Sequence, residues 1–587
     1  MFEYSFCMSA LKWSKYDKYF RRDTRNATCL LCEIVGKEKK FTRPVGGSTS
    51  NLQRHLLEKH DLDVGNSDIT PLTSAITEFF VQGSVPLHLV DSKYFKSMMN
   101  LNDNSILPSS KLVKKSIMLA VREKNEKLKN KLAKALYVSV TGDHWSSIAI
   151  DSYLGVTVHY IDQRFNYGMG CLSFATDVHH DGKSISDSFE EIILSNGIKN
   201  KMASFCGDTT QAMLNGLNEI SKKCVDSFVT PCACHVIRLC LQDGCTQERI
   251  DSLLKRTKAI TTYFSQSPLG LDTLKRTTIN GVTGSKPKSP GATRWDSQLQ
   301  MIQSVMNQIQ IINQTIVTIK KSGRCKIRIK PFKSEDEELM NELFEIFSDV
   351  KNILLDLQER DASISLIIPT FYILKMKCQE WTKSKTTAII QFGNMFMAGL
   401  EKRFYKHYCD QETNQFKEEY VISCLLSPSV RSTLSGMQEL GALHEKFEDF
   451  MDHDGNEFET DVTIPPEKKK FKRTPIQEMS KAVKEKKEEA DKKLTATQKF
   501  LQLEFKEGVT DLNWWKENRG SYPHIAKWVP KFLVCPPSSA ESERLFSRSG
   551  QLISKKRSRM SERLASDMMY YMYNEIEEEE EDLAECM

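Results

Sequence analysis

The chain has 587 residues, 40% of them hydrophobic and 27% charged, which excludes a collagen, a membrane bundle and a wholly disordered chain. At roughly 150 residues per domain it holds about three or four domains. The net charge of +5 is unevenly spread: residues 1–60 carry twelve Lys/Arg against six Asp/Glu, while Glu575–Glu585 holds eight acidic residues and no basic one. A basic front and an acidic tail fit a nucleic-acid binder with an interaction tail.

The opening MFEYSFCMSALKWSKYDKYF lacks the apolar core of a secretory signal. No run of about 18 apolar residues follows, so no membrane span is expected. Sixteen cysteines without disulfide-framework spacing predict reduced thiols and an intracellular protein. Cys29-x2-Cys32 followed by His55-x4-His60 is the first landmark. Two thiolates on a tight turn and two imidazoles about one helical turn apart can close a tetrahedron around a structural Zn²⁺. On the helix carrying the histidines, Leu52 and Leu56 are expected to pack inward, while Asn51, Gln53 and Arg54 stay polar. Those three side-chain types suit bidentate hydrogen bonds to purine edges. With Trp13, Tyr16 and Phe20 ahead of it and a 22-residue gap between its ligand pairs, the segment resembles the BED zinc finger, a DNA-binding module found at the front of transposases.

Residues 61–108 are weakly periodic and hold Pro71, Pro86 and Pro108, so a linker with short helices is expected. Ser109–Ala135 has helical spacing of Val113, Ile117, Val121, Leu128 and Leu132. Leu136–Thr141, Tyr153–Ile161 and Gly168–Ala175 read as strands, then Ile185–Leu194 as a helix, Met202–Gly207 as a strand and Gln211–Lys222 as a helix. That is the order of a ribonuclease-H-like α/β core. Residues 246–505 read mainly as helices, with loops at 281–292 and 454–475; the second holds Pro465-Pro466-Glu467-Lys468-Lys469-Lys470-Phe471-Lys472-Arg473, suited to nuclear import or phosphate contact.

Asp143 lies in Thr141-Gly142-Asp143-His144-Trp145-Ser146-Ser147, beyond the first core strand, and Asp208 lies beyond the fourth. Carboxylates at neighbouring strand ends can converge at one lip of a sheet and offer hard oxygen ligands to Mg²⁺ or Mn²⁺. Two such ions can activate a water and stabilise the leaving oxygen of a phosphodiester. Glu543, in Ser538-Ser539-Ala540-Glu541-Ser542-Glu543-Arg544-Leu545-Phe546-Ser547, is the third candidate. Spacing alone does not join the three, because 335 positions separate Asp208 from Glu543.

A resemblance does join them. The Asp143 block, Val156-Thr157-Val158-His159-Tyr160-Ile161-Asp162, Asp208, Cys232-Ala233-Cys234-His235, Thr293-Arg294-Trp295-Asp296-Ser297, Asn513-Trp514-Trp515-Lys516, Tyr522-Pro523-His524 and Ser542–Ser547 occur in one order. In that order they resemble the hAT superfamily of transposases. The resemblance implies an α/β fold: a ribonuclease-H-like core split by a large all-α insertion and preceded by a small ββα zinc finger. It divides the chain into a finger at 8–63, a linker and helical DNA-binding region at 64–134, and the first part of the core at 135–245. The insertion follows at 246–505 with its basic loop at 463–475, then the rest of the core and a dimerisation region at 506–574, and the acidic tail at 575–587. It further implies Asp143, Asp208 and Glu543 as a metal-holding catalytic triad for cutting and joining double-stranded DNA. Arg294 and Trp295 would contact DNA, the indole stacking on a flipped base, and Cys232 and His235 would brace the site. A homodimer or higher oligomer in the nucleus is expected.

Thr209 and Ala212 stand where the family usually has Asn. That departure leaves a second expectation open, a domesticated and catalytically silent descendant acting as a transcription or chromatin regulator. A separate zinc site at Cys232, Cys234 and His235 lacks a fourth ligand. Gly182-Lys183-Ser184 is not a phosphate-binding loop, because position 177 is Asp where Gly is required, so no nucleotide cofactor is expected.

Overall fold

In a computed structural model the protein is described over residues 19–22, 26–34, 40–42, 52, 55–56, 59, 69–99, 107–146, 152–176, 181–289, 296–322, 329–434, 440–453, 494–503, 509–552 and 560–574. The chain divides into two compact units, Met1–Arg122 and Glu123–Met587. No helix among the described residues is long and apolar enough to cross a membrane.

The first unit holds a small antiparallel sheet of β1 (Phe20–Arg22), β2 (Asn26–Cys29) and β3 (Lys40–Thr42) with β2 in the centre. The short helix α1 (Leu30–Ile34) leaves β2 directly after Cys29. Tyr19, Phe20, Leu31, Leu52 and Leu56 are buried around it, so the inward packing expected of Leu52 and Leu56 is seen. The sheet has three strands where the ββα reading supplies two. Phe20 supplies the physical reason: its ring packs edge-on against Phe41 of β3 at 5.8 Å, which draws the added strand onto the core. Further along, α2 (Pro71–Gln82) begins with Pro at its first turn and is capped by the Thr70 hydroxyl, and α3 (Lys93–Met99) follows.

The second unit is built on a five-stranded mixed sheet: β4 (Tyr137–Ser146), β5 (Ser152–Ile161), β6 (Tyr167–Thr176), β7 (Met202–Gly207) and β8 (Phe228–Pro231), ordered β6-β5-β4-β7-β8. The β4–β5 and β5–β6 pairs are antiparallel, and the β4–β7 and β7–β8 pairs are parallel. Two strand readings change. β4 runs through Asp143 to Ser146 because β5 pairs with it along that whole length, and β8 is added, a four-residue strand ending in Pro that periodicity does not expose.

The two faces of this sheet differ in chemistry. Val138, Val140, Val156, Val158 and Phe205 form an apolar face with Ile185, Phe189 and Ile193 of α4 (Gly182–Ser195) and Met213, Leu217 and Ile220 of α5 (Gln211–Lys222). Aromatic and branched side chains buried in this way each contribute roughly 1.5–3 kcal/mol. The opposite face carries Ser139, Thr141, Thr157, His159, Ser204 and Thr230, all 0–1% exposed. Four of these hydroxyls pair with one another: Ser204 Oγ donates to Ser139 Oγ at 2.9 Å, and Thr141 and Thr157 share a bond of 2.5 Å.

Helices dominate the chain from α6 (Ala233–Cys245) onward. They include α7 (Ser334–Asp356), α8 (Thr387–Tyr408), α9 (Glu418–Leu426) and α10 (Asp511–Asn518), with a small hairpin at 278–283. Phe371, Trp381, Phe392, Phe396, Phe404 and Tyr408 belong to their shared core. Trp515 of α10 is fully buried and its indole N–H donates to Leu426 O at 2.7 Å, which fastens the C-terminal segment to α9. The chain then returns to the sheet through α11 (Ala540–Leu552) and α12 (Glu562–Tyr573). Asn574 closes α12 against the edge strand, accepting from Cys171 N at 2.7 Å and donating to Cys171 O at 2.9 Å.

Candidate metal centres

In the first unit Cys29 ends β2 and Cys32 sits one turn into α1, so the tight strand-to-helix exit sets the two sulfurs side by side. With His55 they form a cluster whose ligand-type atoms all lie within 4.8 Å of one another. His55 Nε2 is 3.3 Å from Cys32 Sγ, and the imidazole packs on the Phe41 ring at 4.8 Å. All three are buried. Burial pushes the Cys29 thiol up to about 11, and the neighbouring Cys32 adds to it against backbone hydrogen bonds. Two buried sulfurs and an imidazole turned toward one point are a donor set that suits a soft-to-borderline dication. The fourth predicted ligand, His60, lies outside the described residues, as do Asn51, Gln53 and Arg54.

In the second unit Asp143 lies on β4 and Asp208 follows β7 directly. These strands are parallel neighbours with Thr141 opposite Cys206, so both carboxylates leave the sheet at the same lip. Glu543 reaches that lip on α11, which packs across β4 and β5. The approach depends on Gly155, the cross-strand partner of Asp143. A Cβ at position 155 would meet the Phe546 ring at 2.8 Å and Leu545 at 3.0 Å. The missing side chain lets α11 lie on the sheet, where Phe546 stacks on Trp145 at 6.1 Å and Ser542 Oγ meets Thr141 Oγ1 at 3.0 Å.

Asp143 is half-buried, Asp208 likewise, and Glu543 is exposed. Burial pushes the Asp143 carboxyl well above the usual carboxylate range, and the charges of Glu543 and Asp208 push it further against the 2.8 Å bond from His144 N–H. Glu543 and Asp208 therefore both act on Asp143, though among the described residues only the thiol–imidazole cluster closes to 4.8 Å. Asp208 Oδ1 accepts from Thr210 N at 3.0 Å and from its hydroxyl at 2.7 Å, which fixes the turn into α5. Like-charged oxygens at one lip repel unless a cation sits among them, and carboxylate oxygens suit Mg²⁺ or Mn²⁺.

Cys232 and His235 stand at the start of α6, between the ends of β7 and α11. Cys232 N–H donates to Gly207 O at 2.8 Å, and Cys232 Sγ accepts from Ser539 N–H at 3.4 Å. A hydrogen bond with Cys234 and that from Ser539 hold the Cys232 thiol down, at about 7, against burial. Burial lowers His235, and the charge of Asp208 pulls it back up. Arg294 and Trp295 lie outside the described residues.

Sequence reasoning passed over Glu541. It is 4% exposed, and its carboxylate accepts from Arg544 and from the Tyr573 hydroxyl, with Arg360 Nε at 3.8 Å. Helix phase could have found it: Glu541 shares a face with Leu545, four residues on, whereas Glu543 does not.

Comparison with known proteins names these regions. The BED zinc finger matches residues 14–61, the ZBED1 RNase-like domain residues 141–230, and the hAT family C-terminal dimerisation region residues 494–574. Together these matches support a hAT-family transposase-like protein with an N-terminal BED finger. It is 22% identical to the putative AC transposase of Zea mays over 529 residues, 82% of this chain and 62% of that one. To the putative AC9 transposase of the same plant it is 27% identical over 244 residues, 38% of this chain and 28% of that one. The putative transcriptional regulator tpeD of Talaromyces stipitatus is 22% identical over 181 residues, 29% of this chain and 21% of that one. The chain thus spans less than two thirds of each of these relatives. Glu543 falls inside the segment that matches the hAT dimerisation region.

Proposed function

We propose that this protein is a zinc-dependent, sequence-specific DNA-binding protein of the hAT transposase type, dimerising through its C-terminal region and acting in the nucleus. In this reading the five-stranded sheet and α11 are a ribonuclease-H-like core split by the helical insertion between Asp208 and Glu543. The domain limits at 63, 134, 245, 505 and 574 belong to the same reading. Cys29, Cys32, His55 and His60 hold a structural Zn²⁺. It carries Asn51, Gln53 and Arg54 to base edges, and Arg294 and Trp295 contact the DNA near the cut.

Asp143, Asp208 and Glu543 would hold Mg²⁺ or Mn²⁺, which supplies charge stabilisation at a phosphodiester and an activated water. The chain's own part is positional. β4 and β7 aim two carboxylates at one lip, α11 brings the third, and Cys232 and His235 brace the gap between them. What supports the reading is that the charges of Glu543 and Asp208, from distant parts of the sequence, act on Asp143, in a chain whose sequence also matches the BED finger and the hAT dimerisation region.

The test is cleavage of DNA bearing the element's own ends by purified protein in Mn²⁺ or Mg²⁺, beside Glu543→Gln. Cutting by wild type that disappears in the variant is expected. A second reading, a catalytically silent regulator, is favoured by Thr209 and Ala212 beside Asp208 and by the name of the Talaromyces relative. It predicts zinc-dependent binding to defined DNA with no cutting by wild type.

A further inference from the structure

Glu541 and Glu543 are two residues apart on α11, so they point to different sides of the helix. Glu543 faces solvent at the carboxylate lip, and Glu541 is turned inward and buried. A buried carboxylate contributes little to stability even when well paired, since an apolar side chain of similar size serves as well. What it can contribute is geometry. One Glu541 oxygen is gripped by Arg544 on its own helix and approached by Arg360, and the other accepts the Tyr573 hydroxyl from the end of α12. Arg544 also donates to Gln358 O at 2.5 Å, just beyond α7. Three separate parts of the second unit therefore meet on the first turn of α11. The next residue, Ser542, is bonded to Thr141 of β4 at 3.0 Å.

We propose that Glu541 is a positioning residue: its buried carboxylate, tied to Arg544, Tyr573 and Arg360, sets the first turn of α11 so that Glu543 faces Asp143 and Asp208. This rests on the reading of those three acids as a divalent-metal site. It also makes that site answer to the helical insertion through Arg360 and Gln358, and to the C-terminal helix through Tyr573.

The experiment uses the full chain and Mn²⁺ alone as probe, its binding read by electron paramagnetic resonance, with thermal melting alongside. Wild type is compared with Asp143→Asn, Glu541→Gln and Tyr573→Phe. Wild type is expected to bind one Mn²⁺ that Asp143→Asn does not. Glu541→Gln and Tyr573→Phe are expected to weaken that Mn²⁺ about tenfold or more, as loss of a residue orienting a metal ligand does. Unchanged Mn²⁺ affinity in both variants, even with a lowered melting temperature, would overturn the proposal and leave the metal site standing. Wild type binding no better than Asp143→Asn would remove the metal site and the proposal together. Should Glu541→Gln fail to fold, Tyr573→Phe, which removes a single hydroxyl, decides.

Discussion

His159 lies on the polar face of the sheet, bonded through Nδ1 to the Tyr167 hydroxyl at 2.5 Å, while its buried Nε2 has no hydrogen-bond partner among the described residues. Burial lowers it from 6.5 to about 4. Between those values the unfolded chain takes up a proton that the folded chain refuses, so stability present above pH 6.5 is lost as pH falls toward 4. The shift corresponds to about 3 kcal/mol. His407, lowered to about 4 chiefly by burial, adds a slope of the same sign. The urea midpoint of wild type should fall between pH 7.5 and pH 5, and fall less far for His159→Gln. Equal falls would sink the assignment. Cys29-x2-Cys32 reads directly from local spacing, whereas Asp143, Asp208 and Glu543 are joined only by the resemblance. Helix phase marks Glu541 as inward-facing, but its partners lie 181 and 32 positions away, at Arg360 and Tyr573, and no local pattern exposes those.

Among the elements, α11 shows how one absent side chain can set a site. Gly155→Ala would put a methyl group 2.8 Å from the Phe546 ring, and overpacking of this kind costs about 1–3 kcal/mol. The strain is expected to lift α11 from β5 and impair DNA cleavage more than it lowers the melting temperature. Cleavage kinetics at saturating Mn²⁺ beside a melting curve measure both, and full activity would count against the tight approach. The sequence order of strands and helices was legible because β5, α4 and α5 carry their own periodicity. The docking of α11 on β4 was not, because it depends on a glycine across the sheet and a helix almost 400 residues later.

At the scale of the molecule, the two units separate the finger's metal chemistry from the sheet. Thiolates must give up protons to bind zinc, so zinc binding and folding of such a site are linked. Cys29→Ser, or a strong chelator, should release zinc and abolish binding to defined DNA while leaving a melting transition for residues 123–587. Atomic absorption, a mobility-shift assay and calorimetry follow the three effects, and retained DNA binding in zinc-free protein would contradict the role given to the finger.

The hydroxyl-lined face of the central sheet also matters for the order in which the chain is made. Strands β4 to β8 are complete by Pro231, but Cys535, whose sulfur accepts from Ser139 at 3.3 Å, and Ser542, which meets Thr141, are made much later. At about 5–20 residues per second this interval lasts tens of seconds on the ribosome. An apolar surface left open that long would invite aggregation, whereas serines and threonines can bond to water until their lid emerges. The polar face lets an early sheet wait for its late cover.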